Sequence, residues 1–285
     1  MSRSRKIRCP IHGFIEVGVR ECDLLDTFLL QRLRYINQLA MAYLVYPGAV
    51  HTRFDHALGV FHVAGRMCEV LGIDDGYKRL IRYAALLHDI GHGPFSHVSE
   101  TILETLNKKN GPKICGPKIS IHEKIAQQLI LTHEDLNVSL AQKDRDEIAA
   151  LLIDGFGDRI HHDIISGPLD ADKQDYLLRD SYFCGVRYGV YDIAQLHQTL
   201  RSGSDGKETI LMIEDDGVHA LEQFVLAKYY LTTQVYRHKV RLITDHMLIR
   251  AIKLGVEEDR VEFLKELYTY SDDAQFLKNY LSWND

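Results

Sequence analysis

Apolar residues recur at three- and four-residue steps along most of the chain, and that spacing predicts a mainly helical protein. Leu25, Phe28, Leu29, Leu33, Ile36 and Leu39 share one face of a first helix. A second covers 54–71, with Thr52 placed to cap it, Asp55 to complete a capping box and Gly72 to end it. A third covers 77–89 and stops at the turn Gly91-His92-Gly93-Pro94. Pro94 suits the first turn of the next helix, which continues through Ile102 and Leu106.

The stretch KKNGPKICGPKIS (108–120) holds two Gly-Pro pairs and reads as a loop or flap. Helical spacing returns at 123–131 and 144–153, and again from near Pro168 to Gly185. Between Leu200 and Glu214 the pattern changes. RSGSDGKE is turn-like and 209–213 is apolar and partly β-branched, which predicts a short hairpin. From Gly217 to about Leu254 the chain has no proline and a long helical periodicity. The expected fold is all-α in the main: a helical core over 1–200, then, over 201–285, the hairpin and a C-terminal helical lobe packed on that core.

A chain of 285 residues that is 46% hydrophobic can bury most of its apolar surface without staples. Its formal net charge of -6 gives no global attraction to nucleic acid or to an anionic membrane. An anionic substrate would therefore need positive charge gathered locally. The cysteines (Cys9, Cys22, Cys68, Cys115 and Cys184) are odd in number and show no C-x-x-C spacing, which points to free thiols in a reducing cytosol. The basic start MSRSRKIR is not followed by an apolar run, and no stretch approaches the ~18 residues of a membrane span. A soluble cytoplasmic protein is expected.

Metal-binding residue types collect at four places: His56 within RFDH, the adjacent pair His88-Asp89, His92 and His97 just after it, and Asp170 or Asp172 within DADKQDY. A mixed imidazole and carboxylate set suits Mn²⁺, Fe²⁺, Zn²⁺ or Ni²⁺ better than Ca²⁺. Such an ion can acidify a water and polarise a phosphoryl oxygen. Neighbours on a helix diverge by about 100°, so His88 and Asp89 can reach one ion only near a helix end. The glycines that follow supply that end. A lone His-Asp pair is frequent by chance. Here the apolar approach Ala85-Leu86-Leu87 puts the pair at the end of a buried helix, where an uncompensated aspartate is costly and a cation compensates it.

The succession PIHGFIEV, QRLRYINQL, YPGAVHTRFDHALGV, HDIGHGPFSH and DADKQDYLLRD resembles the HD-domain deoxynucleoside triphosphate triphosphohydrolases. That family includes the sterile-alpha-motif and HD-domain dNTPase and bacterial dGTPase-like enzymes. The resemblance runs from about Pro10 to Lys239, without a sterile-alpha-motif domain and with a C-terminal part short for the family. It implies an HD-domain helical bundle whose metal ligands are His56, His88, Asp89 and Asp172. Asp170 is the near alternative for the last of these, and its two-residue offset rotates it away from Asp172.

The resemblance further implies that His97 protonates the leaving 5′-oxygen, steered by Glu100 (an aspartate in most of the family) and supported by His122. His92, between metal and acid, resembles a phosphate contact. Arg53, Lys173 and Lys228 would contact the triphosphate, Gln38 and Asp180 would read the 3′-hydroxyl, and Leu39 and Tyr236 would crowd C2′. Tyr176 shares a helix face with Asp172 and Arg179/Asp180. Arg237 and Lys239 add positive charge near Lys228. Asp26 and Arg34 match guanine-reading residues of the family's regulatory site, whereas Lys6, Arg8 and Cys9 do not. His161-His162 and the turn at Gly206 carry no assigned role.

These residues imply one divalent transition metal, with magnesium admitted on the substrate triphosphate, and a dNTP as substrate. No membrane partner is expected, nucleic acid is disfavoured by the charge, and the family assembles as homodimers or homotetramers. Two alternatives stand beside this reading: an HD phosphatase or pyrophosphohydrolase acting on another nucleotide, and a catalytically weak nucleotide sensor.

Overall fold

The computed structural model describes residues 4–110, 119–153 and 157–285. It is mainly helical, as the periodicity implied, and carries two small two-stranded sheets. The chain opens on a hairpin that the periodicity did not suggest: β1 (Arg5–Cys9) pairs antiparallel with β2 (Gly13–Val17), Ile7 facing Ile15. Its strands are too short for a visible alternation, and only Cys9, Ile15 and Val17 turn fully into the core.

The single helix expected over Leu25 to Leu39 is instead α1 (Val19–Leu25), α2 (Phe28–Arg32), a 3-10 turn and an extended stretch. Thr27 breaks it, donating its hydroxyl to the Leu24 carbonyl at 2.6 Å. Asn37 then forms a β-bridge with Thr52, and Arg53 N donates to Ile36 O. The periodic leucines and Ile36 are still buried, while Phe28 is exposed. Burial was therefore legible where helicity was not.

α3 (Arg53–Leu71) is the central helix, started by the expected Thr52/Asp55 capping box and ended by Gly72 at φ +66°. α4 (Asp75–Leu87) packs along it and stops at His88, the residue that caps its C-terminus. Pro94 does not begin the next helix. Phe95 and Ser96 take positive φ of 59° and 53°, a conformation closed to a helical first turn, so α5 (His97–Asn110) begins at His97. Most of the expected 108–120 loop, including Cys115, lies outside the described residues.

Then follow α6 (Ile121–Thr132), α7 (Glu134–Asn137), α8 (Gln142–Ile153), α9 (Arg159–Ser166) and α10 (Ala171–Cys184). α10 crosses α3 and brings its acidic face to His56. α11 (Ile193–Thr199) leads into the expected hairpin, β3 (Leu200–Ser204) with β4 (Thr209–Ile213). The continuous helix expected beyond Gly217 is broken. α12 (Val218–Leu231) runs into a π-helical turn at Thr232–Tyr236, and extended His238 caps α13 (Lys239–Glu257) through its ring nitrogen. α14 (Glu262–Tyr268) and α15 (Ala274–Leu281) finish the lobe.

The two parts of the chain share one apolar core. Arg32 ties them: its buried guanidinium donates to the carbonyls of His92 (2.8 Å), Leu281 (3.1 Å) and Trp283 (3.0 Å). No described helix is long and apolar enough to cross a membrane. The four described cysteines, Cys9, Cys22, Cys68 and Cys184, are buried.

Candidate active site

α3, the end of α4 and the start of α10 meet at one point. His56 Nε2 lies 2.9 Å from Asp172 Oδ1 and 3.9 Å from Asp89 Oδ2. His88 Nε2 lies 3.3 Å from Asp89 Oδ1 and 3.9 Å from Asp172 Oδ1. Four side chains from sequence-distant segments thus converge. Asp170, the alternative to Asp172, is used elsewhere: it caps α10 by accepting from Lys173 N at 2.7 Å.

The donor atoms fit a divalent cation. His88 donates Nδ1–H to the Ala85 carbonyl at 2.8 Å, which leaves its buried Nε2 without a hydrogen-bond partner. A lone pair so stranded costs free energy unless a Lewis acid or a donor meets it. His56, His88 and Asp172 can present one ligand atom each within ligating reach of one another. Burial pushes the Asp89 carboxyl up, but the Arg53 guanidinium, at 2.6 Å, and the neighbouring histidines hold it well below the usual carboxylate range. Burial likewise pushes the His56 imidazole down, and its hydrogen bonds to Asp172 and Asp175 more than reverse this, raising it to about 10.

A cleft opens over this cluster, lined by Gln38, Arg53, His88, Asp89, His92, His97, His122, Asp172, Lys173 and Tyr176 among others. Arg53 gives Nη1 to Asp89 and Nε to Ser96 Oγ, at 2.8 Å, while its buried Nη2 has no partner. Gln38 Oε1 is also buried and unpartnered. On the far side, Glu100 accepts from both His97 Nδ1, at 2.6 Å, and His122 Nδ1. Burial pushes Glu100 up, and the charge and hydrogen bond of His122 outweigh it, so the carboxyl stays ionised. The longer side chain of glutamate reaches both histidines. His92 stacks on His122 with ring centres 3.9 Å apart, and desolvation and Arg53 keep it well below the usual imidazole range.

Other sequence-predicted residues sit differently. Asp180 donates nothing to the cleft: its oxygens accept from His51 Nε2, at 2.7 Å, and Tyr236 Oη, at 2.6 Å. Tyr236 stands edge-on to Tyr176, with ring centres 6.2 Å apart. Leu39 is buried beside Gln38, and Lys228 is exposed on α12 outside the cleft lining. Lys173 Nζ lines the cleft but is held by Asp170 and by the Gly167 carbonyl. Arg237 and Lys239 are exposed. Arg34 stacks on Phe54 and Asp26 pairs with Arg5, while Cys9 is buried against Arg179. His161 stacks on Tyr77, and His162 bonds the Leu151 carbonyl. Sequence reasoning passed over His12, His51 and Asp175. Asp175 had a signal, since it follows Asp172 by three residues and precedes Arg179 by four on one helix. His12 and His51 lie within the quoted stretches PIHGFIEV and YPGAVHTRFDHALGV, but local spacing gives them no role, because only tertiary contacts bring them in.

The HD domain family matches residues 53–154, and the HD associated region matches 192–282. An uncharacterised protein of Methanocaldococcus jannaschii is 34% identical over 280 residues, which is 96% of this chain and 56% of that one. A human deoxynucleoside triphosphate triphosphohydrolase is 31% identical over 285 residues, covering 86% of this chain and 44% of its own. A solved phosphohydrolase of Bacteroides thetaiotaomicron superposes with a TM-score of 0.81 at 32% identity, over 99% of this chain and 70% of that one. The chain spans about half the length of the curated relatives it matches. HD domains bind a divalent metal, and the clustered histidines and aspartates here are groups able to hold one.

Proposed function

Because this chain belongs to the HD-domain phosphohydrolases, we propose that it hydrolyses deoxynucleoside triphosphates to deoxynucleoside and inorganic triphosphate. The observation that carries the reading is the convergence of His56, His88, Asp89 and Asp172 beneath a cleft whose opposite wall holds His97. A divalent cation held by those four residues would supply Lewis acidity to the attacking water and to the α-phosphoryl oxygen.

The chain's own residues then divide the work. The unpartnered Nη2 of Arg53 binds phosphate oxygens, and its other nitrogens fix the guanidinium through Asp89 and Ser96. His97 donates Nδ1–H to Glu100, which leaves Nε2 to deliver a proton to the departing 5′-oxygen. His122, on the other Glu100 oxygen, holds that carboxylate in place. Gln38 presents a buried acceptor to a sugar hydroxyl. Self-assembly belongs to the same reading. Val225, Leu226, Tyr229, Ile243 and Met247 leave apolar faces of α12 and α13 exposed, suited to a second copy.

The test is to incubate the metal-loaded protein with deoxy- and ribonucleoside triphosphates and to resolve the products by ³¹P NMR. Inorganic triphosphate from deoxy substrates supports the reading, and a nucleoside mono- or diphosphate overturns it. One observation favours a second reading. Of the three cations expected on the triphosphate, Lys173 is engaged by Asp170 and Lys228 stands outside the cleft lining. A shorter phosphate chain, as in a nucleoside monophosphate, needs only Arg53. Release of orthophosphate from a monophosphate would decide for it.

A further inference from the structure

Behind the ligand cluster, on the side away from the cleft, lies a second layer of charge. Asp175 is fully buried and accepts four hydrogen bonds. His56 Nδ1 donates to Oδ2 at 2.8 Å, His12 Nε2 to Oδ1 at 2.6 Å, and Arg179 gives Nε to Oδ2 and Nη2 to Oδ1, each at 2.8 Å. Because the Arg179 fork donates to both oxygens, this carboxylate acts as an acceptor only. His56 must therefore carry its proton on Nδ1, and Nε2 is the nitrogen that faces Asp172. Gly59, one turn beyond His56 on α3, makes the approach possible, since a Cβ there would stand 1.8 Å from Asp175 Oδ1.

His12 comes from the turn between β1 and β2, more than forty residues before His56. Its ring packs on His62 with centres 5.2 Å apart, and it bonds Oδ1 of Asp175 while His56 bonds Oδ2. The contrast with His88 is informative. The His88 Nδ1 proton goes to a neutral carbonyl, whereas that of His56 goes to a carboxylate. A carboxylate partner makes the far nitrogen a stronger donor and locks the ring plane.

Resting on the metal-dependent reading, we infer that Asp175 and His12 are positioning residues for the metal centre: Asp175 fixes the tautomer and orientation of His56, and His12, from the N-terminal hairpin, fixes Asp175. Arg179 neutralises the carboxylate without turning it, because its fork grips both oxygens from within the same helix. His12 is the contact that joins Asp175 to the N-terminal hairpin. Through it the N-terminal hairpin is mechanically part of the metal centre.

The experiment measures the affinity of the metal-free protein for Mn²⁺ by competition with a chromophoric chelator, in the whole chain and in three variants. Asp175→Asn keeps the shape and turns one acceptor into a donor; it weakens metal binding by about 10- to 100-fold. His12→Gln weakens it by less. His62→Gln, which alters the neighbouring ring but not Asp175, leaves it unchanged. ¹⁵N spectra of labelled histidine in the Zn²⁺-loaded protein then report the His56 Nδ1–H, whose shift moves in Asp175→Asn. Circular dichroism checks that each variant is folded. An affinity within twofold of the parent in folded Asp175→Asn, or in folded His12→Gln, overturns the corresponding assignment. Nucleotide turnover does not enter, so failure of the dNTPase reading leaves this outcome intact and the reverse also holds.

Discussion

Asp285 accepts the backbone N–H of Phe95 at 2.6 Å across 190 residues of chain. Its other oxygen accepts Asn37 N at 2.8 Å. One carboxylate thus bridges two walls of the cleft. Ser96 completes the ring by donating its hydroxyl to Asn37 O and accepting from Arg53 Nε. Phe95 and Ser96 both hold positive φ, a conformation that costs of order 1–3 kcal/mol per residue unless its surroundings impose it.

Asp285→Ala should therefore let that turn relax and misplace His97, which follows it directly. The expected result is a fall in kcat of about tenfold with KM and bound metal nearly unchanged. Steady-state kinetics with metal analysis checks this. A rise in KM at constant kcat would assign Asp285 to substrate binding instead.

His88 and Asp89 are neighbours with different structural duties. His88 makes one hydrogen bond, to the Ala85 carbonyl, so His88→Gln should fold normally and lose metal and activity. Asp89 is the buried partner of Arg53, so Asp89→Ala leaves a guanidinium uncompensated and should also cost about 3–5 kcal/mol of stability. Urea denaturation of the two variants in chelator distinguishes them, and equal midpoints would refute the difference.

Metal uptake should release a proton. The metal-free cluster holds the His56 imidazole up to about 10, and a cation must displace the Nε2 proton. Affinity should then rise about tenfold per pH unit through neutrality, towards pH 10. Calorimetry in buffers of different ionisation enthalpy should report about one proton released per ion at pH 7–8. A pH-independent affinity would mean that the ion binds without touching His56.

Acid should destabilise the fold through its buried neutral histidines. Burial pushes His197 down to about 4, with Nε2 bonded to Gln174 at 2.6 Å, and pushes His62 down to about 4 as well. Between pH 6.5 and 4 the unfolded chain binds protons that the folded chain refuses, so stability falls as pH falls across that window. His197→Gln should flatten the slope by about one proton. The check is the midpoint of urea unfolding at half-unit pH steps in chelator, and an unchanged slope would show that another group sets the acid limb.

The sequence by itself determined the helical class, the Thr52/Asp55 start and Gly72 end of α3, the Leu200–Ile213 hairpin, and the burial of Leu25, Leu29, Leu33 and Ile36. These follow from apolar spacing and local capping chemistry, which act over a few residues. It also held every residue type of the metal cluster, since an aspartate behind an apolar helix demands compensation.

Only the tertiary structure decided which residues those types would serve. Asp172 rather than Asp170 faces His56 because Asp170 is used as a helix cap. The helix expected through Leu39 becomes extended because Asn37 pairs with Thr52, and the helix expected at Pro94 starts late because contacts with Asp285 and Asn37 hold Phe95 and Ser96 outside helical space. His12 reaches Asp175 across 163 residues, and no local spacing encodes such a contact. Periodicity reports which face is buried, and contacts between distant segments decide what that face meets.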